Sequence, residues 1–277
     1  MDLIEKEQKL EELLVSLAPV LVAYSGGVDS TYLAYKAHQV LGTRALAVTA
    51  DSPSVPSHQR ATALEVARQF GFPHLVIATE ELQRSEYREN PANRCYFCKD
   101  ELFDKLRSLA DERGFATIVD GSNADDLGDF RPGRDAGRKH QVRSPLVDVQ
   151  LHKSEIRELS RLAGLPTSDQ PASACLSSRF PYGIRITEEK LRMVDQGEET
   201  LRSLGFRVFR VRHHDDLVRL EFGKEDLASA LNIETAARLV TLFKEIGYKF
   251  VTIDLEGYRS GSSNEVLTQI KTVDSNQ

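Results

Sequence analysis

Leu10, Leu13, Leu14 and Leu17 recur at i, i+3, i+4 and i+7 and predict one amphipathic helix, closed by Pro19. The next segment, PVLVAY (19–24), is short and uniformly apolar, as a strand buried on both faces must be. The same signal returns in ALAVTA (45–50), HLVIA (74–78) and ATIVD (116–120). Helical spacing lies between these runs: Leu33, Ala34, Ala37, Val40 and Leu41; residues 57–70; and Leu102, Phe103, Leu106, Leu109 and Ala110. A further helix over 152–163 is expected to turn Ile156, Leu159 and Leu162 inward. Strands that alternate with helices in this way predict an α/β fold, a parallel sheet with helices on both faces. After about residue 180 the pattern changes. A helix (188–204) precedes two strands, 206–212 and 216–222, with His213, His214 and Asp215 expected in the turn between them. Helical residues 224–246 and a strand KFVTIDL (249–255) follow, which together predict a small α+β unit of ferredoxin-like type. The expected organisation is therefore a sheet domain over 1–182, a small domain over 183–262 and a polar tail over 263–277.

Composition narrows the function classes. The 277 residues suffice for two domains and a real core. Lys plus Arg number 36 against 42 Asp plus Glu, a net charge of −6, which disfavours broad binding to nucleic acid or anionic membrane. No apolar run approaches the roughly 18 residues of a membrane span, and the first residues are acidic, so neither a membrane span nor a targeting segment is expected. Three cysteines, Cys95, Cys98 and Cys175, are too few for a disulfide scaffold and fit a reducing cytoplasm.

The string AYSGGVDST (23–31) stands where the first strand meets a helix. Two glycines allow a tight turn around an anion, with helix N-terminal N–H groups facing it. Ser25 and Ser30 add hydroxyls, and Asp29 can hold the turn or approach a metal. The bland alternative is an ordinary capped turn. The five fixed positions of S-G-G-x-D-S argue against it, and SGGVDS resembles the PP-loop of the ATP pyrophosphatases. That resemblance implies cleavage of ATP to AMP and pyrophosphate with Mg2+, and Ser25, Gly26, Gly27, Asp29 and Ser30 would hold the pyrophosphate. Asp51 and Ser52 follow the second strand, where the adenine is expected. Asp125 and Asp126 follow the fourth and resemble the acidic pair that such enzymes place near Mg2+. Arg131, Arg134, Arg138 and Lys139 form a basic loop that could clamp phosphate.

Cys95 and Cys98 form C-x-x-C near the start of a helix, and Cys175 lies in SACLSSRFPYG. Redox, zinc, inert and iron–sulfur readings all compete for these thiols. SACLSSRFPYG, LRSLGFRVFRVRHHDD and YRSG resemble the LarE family, the ATP-dependent sulfur transferases of nickel-pincer cofactor synthesis. The similarity runs from the PP-loop to about residue 262. It implies adenylation of the carboxylates of a pyridinium biscarboxylic acid mononucleotide and their conversion to thiocarboxylates, in a homo-oligomer. Some members sacrifice a cysteine, here matched by Cys175. Others hold a 4Fe-4S cluster on three cysteines, and Cys95, Cys98 and Cys175 imply that version.

In the small domain, Glu198 falls on the apolar stripe of Leu191, Val194 and Leu201, where a carboxylate needs a partner. Arg210 and Arg212 share a strand face and could supply it, or could line a phosphate pocket with Arg179 and Arg259 as the resemblance implies. Cys175, Asp29 and Arg179 are the expected catalytic groups. Three alternatives remain open: a tRNA 2-thiolation enzyme, an amide-forming synthetase without a cluster, and a nucleotide sensor.

Overall fold

The computed structural model describes residues 2–128, 132–171 and 173–259. Arg131, the last two residues of YRSG and the 263–277 tail lie outside these residues. In chain order the elements are α1 (Leu3–Leu17), β1 (Val20–Ala23), α2 (Val28–Leu41), β2 (Ala45–Asp51), α3 (Ser57–Phe70), β3 (His74–Ala78), α4 (Ser85–Arg88), α5 (Arg94–Arg113) and β4 (Thr117–Asp120). Then come α6 (Gly133–Lys139), α7 (Pro145–Asp148), α8 (Lys153–Leu162), α9 (Glu188–Ser203), β5 (Phe209–His214), β6 (Leu217–Phe222), α10 (Lys224–Ala230), α11 (Ile233–Ile246) and β7 (Phe250–Ile253).

The chain forms two compact units. The first comprises residues 1–84 and 93–173, and its sheet has the order β3-β2-β1-β4 with every pairing parallel. Val20 and Val22 of β1 face a core built with Leu10, Leu14, Leu33, Ala37 and Ile156. Leu21 points the other way, into a second core with Phe103, Leu106 and Ala110 of α5. Helices on both faces explain why the strands carry no polar alternation. The strand order reverses beside β1, because β2 lies on one side of it and β4 on the other. Loops leaving β1 and β4 at such a switch point open the crevice in which parallel α/β sheets bind ligands. Leu162 corrects one expectation: it is 76% exposed, whereas Ile156 and Leu159 are buried. Six residues from Ile156 is about 120° short of two full turns, so Leu162 cannot share its face.

The second unit comprises, among the described residues, 85–92 and 174–259. Its division therefore falls before residue 183, and a segment from far upstream joins it. Hydrogen bonds explain this: Tyr87 and Ser177 share a hydroxyl contact, Asn90 Nδ2 donates to the Pro181 carbonyl at 2.7 Å, and Ile186 N donates to the Arg88 carbonyl at 2.8 Å. Among the described residues its sheet is β5-β6-β7, antiparallel between β5 and β6 and parallel between β6 and β7. This mixed three-stranded sheet is α+β as expected, and among the described residues it has three strands rather than the four of a ferredoxin-like sheet. The β5–β6 turn is Asp215–Asp216, with Asp215 at φ +55°, so His213 and His214 belong to the strand rather than the turn.

His213 is 1% exposed, its Nδ1 3.0 Å from the Tyr248 hydroxyl, and burial lowers its pKa to about 4. The folded value lies below the unfolded one near 6.5, so the neutral ring stabilises the fold fully above that pH. The contribution is lost as pH falls from about 6.5 toward 4. Urea unfolding across that range is expected to show the slope, and His213→Gln is expected to flatten it.

Candidate active site

The SGGVDS loop joins β1 to α2 and is built as an anion cradle. Gly26 sits at φ +75°, and a Cβ there would come within 2.9 Å of Ala63 Cβ and 3.0 Å of the Gln59 carbonyl. Gly27 is the N-cap of α2 and offers no side chain, so the first N–H groups of that helix are left facing outward. The hydroxyls of Ser25 and Ser30 lie 3.0 Å apart, and Ser30 Oγ donates to the Gly27 carbonyl at 3.1 Å, which closes the loop on itself. Two further residues that sequence reading missed hold the loop. Gln59 Nε2 donates to the Ser25 carbonyl at 2.8 Å, while its Oε1 accepts from Ser173 Oγ at 3.0 Å. Gly121, just past β4, lies so close that a Cβ would sit 2.7 Å from Ser30 N. Only the strand order β1-β4 brings these two loops together, so no local signal marks Gly121.

Asp29 is largely buried, and Lys153 Nζ lies 2.5 Å from its Oδ2. Its other oxygen, Oδ1, is buried and makes no full hydrogen bond, although the Asn123 side chain lies near enough to favour the charged carboxylate. Burial pushes the Asp29 carboxyl up, the Asp126 carboxylate adds to the rise, and the Lys153 ammonium opposes it. A buried carboxylate oxygen with no full hydrogen bond, in the field of a second carboxylate and at the mouth of an anion cradle, suits a hard divalent cation. Asp125 behaves differently. Its Oδ1 lies 2.6 Å from His152 Nδ1, and its Oδ2 accepts from Lys153 N at 2.7 Å. These contacts hold its carboxyl below the usual range and make it an anchor for the start of α8. Asp125 is thus engaged at the start of α8, whereas the Asp126 carboxylate acts electrostatically on Asp29.

Asp51 ends β2 and Ser52 follows it, but both side chains are engaged. Asp51 is paired with Arg60, and Ser52 Oγ bonds to Ser54 Oγ at 2.8 Å and to the buried Glu81 carboxylate. Glu81 is 1% exposed and ties down the loop after β2. No sequence signal separated it from the solvated Glu80 beside it.

Cys95 and Cys98 lie in the first turns of α5, three residues apart and so on one face, with Cys95 exposed and Cys98 half-buried. One turn on, the buried Asp100 carboxylate receives Lys139 Nζ at 2.6 Å, His140 Nε2 at 2.9 Å and Arg84 Nη1 at 3.2 Å. Its burial opposes charge, but these three donors hold it down at about 2. Lys139 of the expected phosphate clamp is therefore an anchor between α5 and α6. Arg134 Nη1 donates to the Asp126 carbonyl, and Arg138 pairs with Asp135.

In the second unit Cys175 caps a short 3-10 turn, Leu176–Arg179. Arg179 is 2% exposed. Its Nε and Nη2 meet the two Glu198 oxygens at 2.7 and 3.0 Å, and Nη1 donates to the Ala174 and Cys175 carbonyls and to Ser178 Oγ. The Glu198 carboxylate does have a buried partner, but it is Arg179 rather than Arg210 or Arg212. Arg212 in turn forms a bidentate pair with Glu221, both contacts 2.9 Å, and donates to the Ser178 carbonyl at 3.0 Å. Arg179 and Arg212 are thus bound to carboxylates and to the Cys175 segment. Arg210 stacks over Tyr258, its guanidinium 4.8 Å from the ring centroid. Burial and the neighbouring Arg179 and Arg212 charges hold it below its usual value. Arg259 is paired with Glu256.

Residues 7–92 match the asparagine synthase family. An uncharacterised protein of Synechocystis sp. is 45% identical over 264 residues, covering 95% of this chain and 98% of the relative. The pyridinium-3,5-bisthiocarboxylic acid mononucleotide synthase of Lactiplantibacillus plantarum is 33% identical over 265 residues, covering 95% of each chain. One component of the glutamine-hydrolysing GMP synthase of Saccharolobus islandicus is 26% identical over 209 residues, 65% of this chain and 53% of that one. The similarity to the second of these covers nearly the whole chain, so the chain belongs to the pyridinium-3,5-bisthiocarboxylic acid mononucleotide synthase (LarE) family.

Proposed function

We propose that this protein is an ATP-dependent sulfur transferase that adenylates the carboxylates of pyridinium-3,5-biscarboxylic acid mononucleotide and converts them to thiocarboxylates for a nickel-pincer cofactor. The observation that carries the ATP half is the SGGVDS cradle with Asp29 Oδ1 buried and not fully hydrogen-bonded at its mouth. Ser25, Gly26, Gly27 and Ser30 hold the pyrophosphate end of ATP, and Asp29 with Asp126 holds Mg2+. A substrate carboxylate oxygen attacks the α-phosphorus, the bond to the bridging oxygen of the β-phosphate breaks, and pyrophosphate leaves toward the N-terminus of α2, whose dipole favours the charge. The acyl adenylate then loses AMP to a sulfur nucleophile. Arg210 is the arginine best suited to the substrate phosphate, since an anion would relieve the repulsion it receives from Arg179 and Arg212. Arg179 positions the Cys175 segment through the carbonyls of Ala174 and Cys175.

The chemistry of the donor set fits a 4Fe-4S cluster, with Cys95 and Cys98 on one helix face and Cys175 as the third thiolate, leaving one iron without a protein ligand. When bound, such a cluster supplies an open iron on which a sulfide can be carried. Iron and sulfide analysis after anaerobic purification tests this, with about four of each per chain expected. Absence of iron, together with dehydroalanine at position 175 after turnover, would replace it by sacrifice of Cys175. Release of pyrophosphate dependent on the carboxylated mononucleotide tests adenylation itself. Salt-sensitive tRNA binding would favour tRNA thiolation instead. No described helix is long and apolar enough to cross a membrane.

A further inference from the structure

Lys153 was invisible to motif reading, yet the fold directs it to the centre of the nucleotide site. Asp125 accepts from the Lys153 backbone N–H at 2.7 Å and lies 2.6 Å from the His152 ring. That fixes the first residue of α8, and the lysine side chain runs from there to Asp29, with Nζ 2.5 Å from Oδ2. The ammonium therefore lies against the carboxylate whose other oxygen is buried without a full hydrogen bond, in the field of the Asp126 carboxylate. The charge of Asp126 makes an ionised Asp29 costlier, so a cation against Asp29 is favoured. The Lys153 ammonium is that cation.

We propose that Lys153 is a resident counterion that exchanges with Mg2+. Without nucleotide, its ammonium neutralises Asp29 and keeps the loop from collapsing or repelling. When MgATP binds, Lys153 releases Asp29 and its ammonium turns to the phosphate oxygens, where the departing pyrophosphate gathers charge. One positive charge thus serves two partners in succession, and the site never carries an unbalanced carboxylate pair. The proposal rests on the ATP reading above. It differs from a purely structural ion pair in one respect: removing the lysine must change metal and phosphate affinities in opposite directions.

The test uses the full chain and its Lys153→Met and Lys153→Gln variants. Mn2+ binding without nucleotide is measured by electron paramagnetic resonance, and inorganic pyrophosphate binding in the presence of Mg2+ by calorimetry. Losing the ammonium should tighten nucleotide-free Mn2+ binding and weaken pyrophosphate binding, each by roughly 10- to 100-fold. Lys153→Arg, which keeps the charge, should restore most of the pyrophosphate affinity. Unchanged affinities in both neutral variants, or a loss of both together, would overturn the exchange. If the unmodified protein binds no pyrophosphate at all, the nucleotide reading fails and the proposal falls with it, an outcome separate from the other two.

Discussion

Gly121→Ala is expected to slow adenylation on the order of 100-fold while leaving the chain folded. The added Cβ would stand 2.7 Å from Ser30 N, 2.9 Å from Ser30 Cα and 3.2 Å from the Asp29 carbonyl carbon, all of them backbone atoms. Backbone cannot rotate out of the way, so the loop that carries Ser25 to Ser30 must shift bodily. A displacement near 1 Å at a positioning loop costs on the order of 100-fold in rate. Isotope exchange between pyrophosphate and ATP, measured with the carboxylated mononucleotide, reads the loss. Gly27→Ala serves as the contrast for loop position. Its backbone has an ordinary negative φ, and its Cβ would meet nothing nearer than Ser25 Oγ at 3.5 Å. It is expected to leave the thermal midpoint unchanged, whereas Gly121→Ala lowers it by a few degrees. Activity in Gly121→Ala within threefold of the unmodified enzyme would show that the loop yields without consequence.

The second large effect concerns stability. Glu198→Ala removes the partner of an arginine that is 2% exposed and leaves a buried cation with no carboxylate. Breaking one side of a buried pair costs about 3–5 kcal/mol. Over a unit of this size that lowers the thermal midpoint by more than about 10 °C. Urea unfolding measures it directly. The double variant Arg179→Met with Glu198→Leu is expected to recover most of the loss, because well-packed apolar groups replace both charges. It should nevertheless remain catalytically impaired, since the carbonyls of Ala174 and Cys175 lose their shared donor. A faster reaction of Cys175 with iodoacetamide in the double variant would report the loosened segment. A destabilisation below 1 kcal/mol in Glu198→Ala would mean that Arg179 finds another partner.

Much of this was legible before any coordinates. Uniformly apolar strands between helices could only be satisfied by a parallel sheet covered on both faces, and the four strands fall where hydrophobicity placed them. The SGGVDS loop was readable because its chemistry is local: glycines, hydroxyls and a helix start occur within nine residues. Glu198 was marked as needing a buried partner, because a carboxylate on an apolar stripe has nowhere else to go. The identity of that partner was not marked. Arg179, Arg210 and Arg212 look alike in sequence, and the choice among them depends on which guanidinium reaches which carboxylate at about 3 Å. The same holds for Asp125 and Asp126, adjacent in the chain, of which Asp125 anchors the start of α8 and Asp126 accepts from Asn123 N.

Sequence by itself determined the sheet, the anion-binding loop, the three thiols and the family, since each is written in neighbouring residues or in a periodicity. Tertiary structure alone decided that residues 85–92 pack with the second unit, that Gly121 braces the loop, that Arg179 and Arg212 are held by buried carboxylates, and that Lys153 reaches Asp29. The reason is physical: pairing energies depend on distance and desolvation, and residues 124 positions apart, like Asp29 and Lys153, acquire a distance only when the chain has folded.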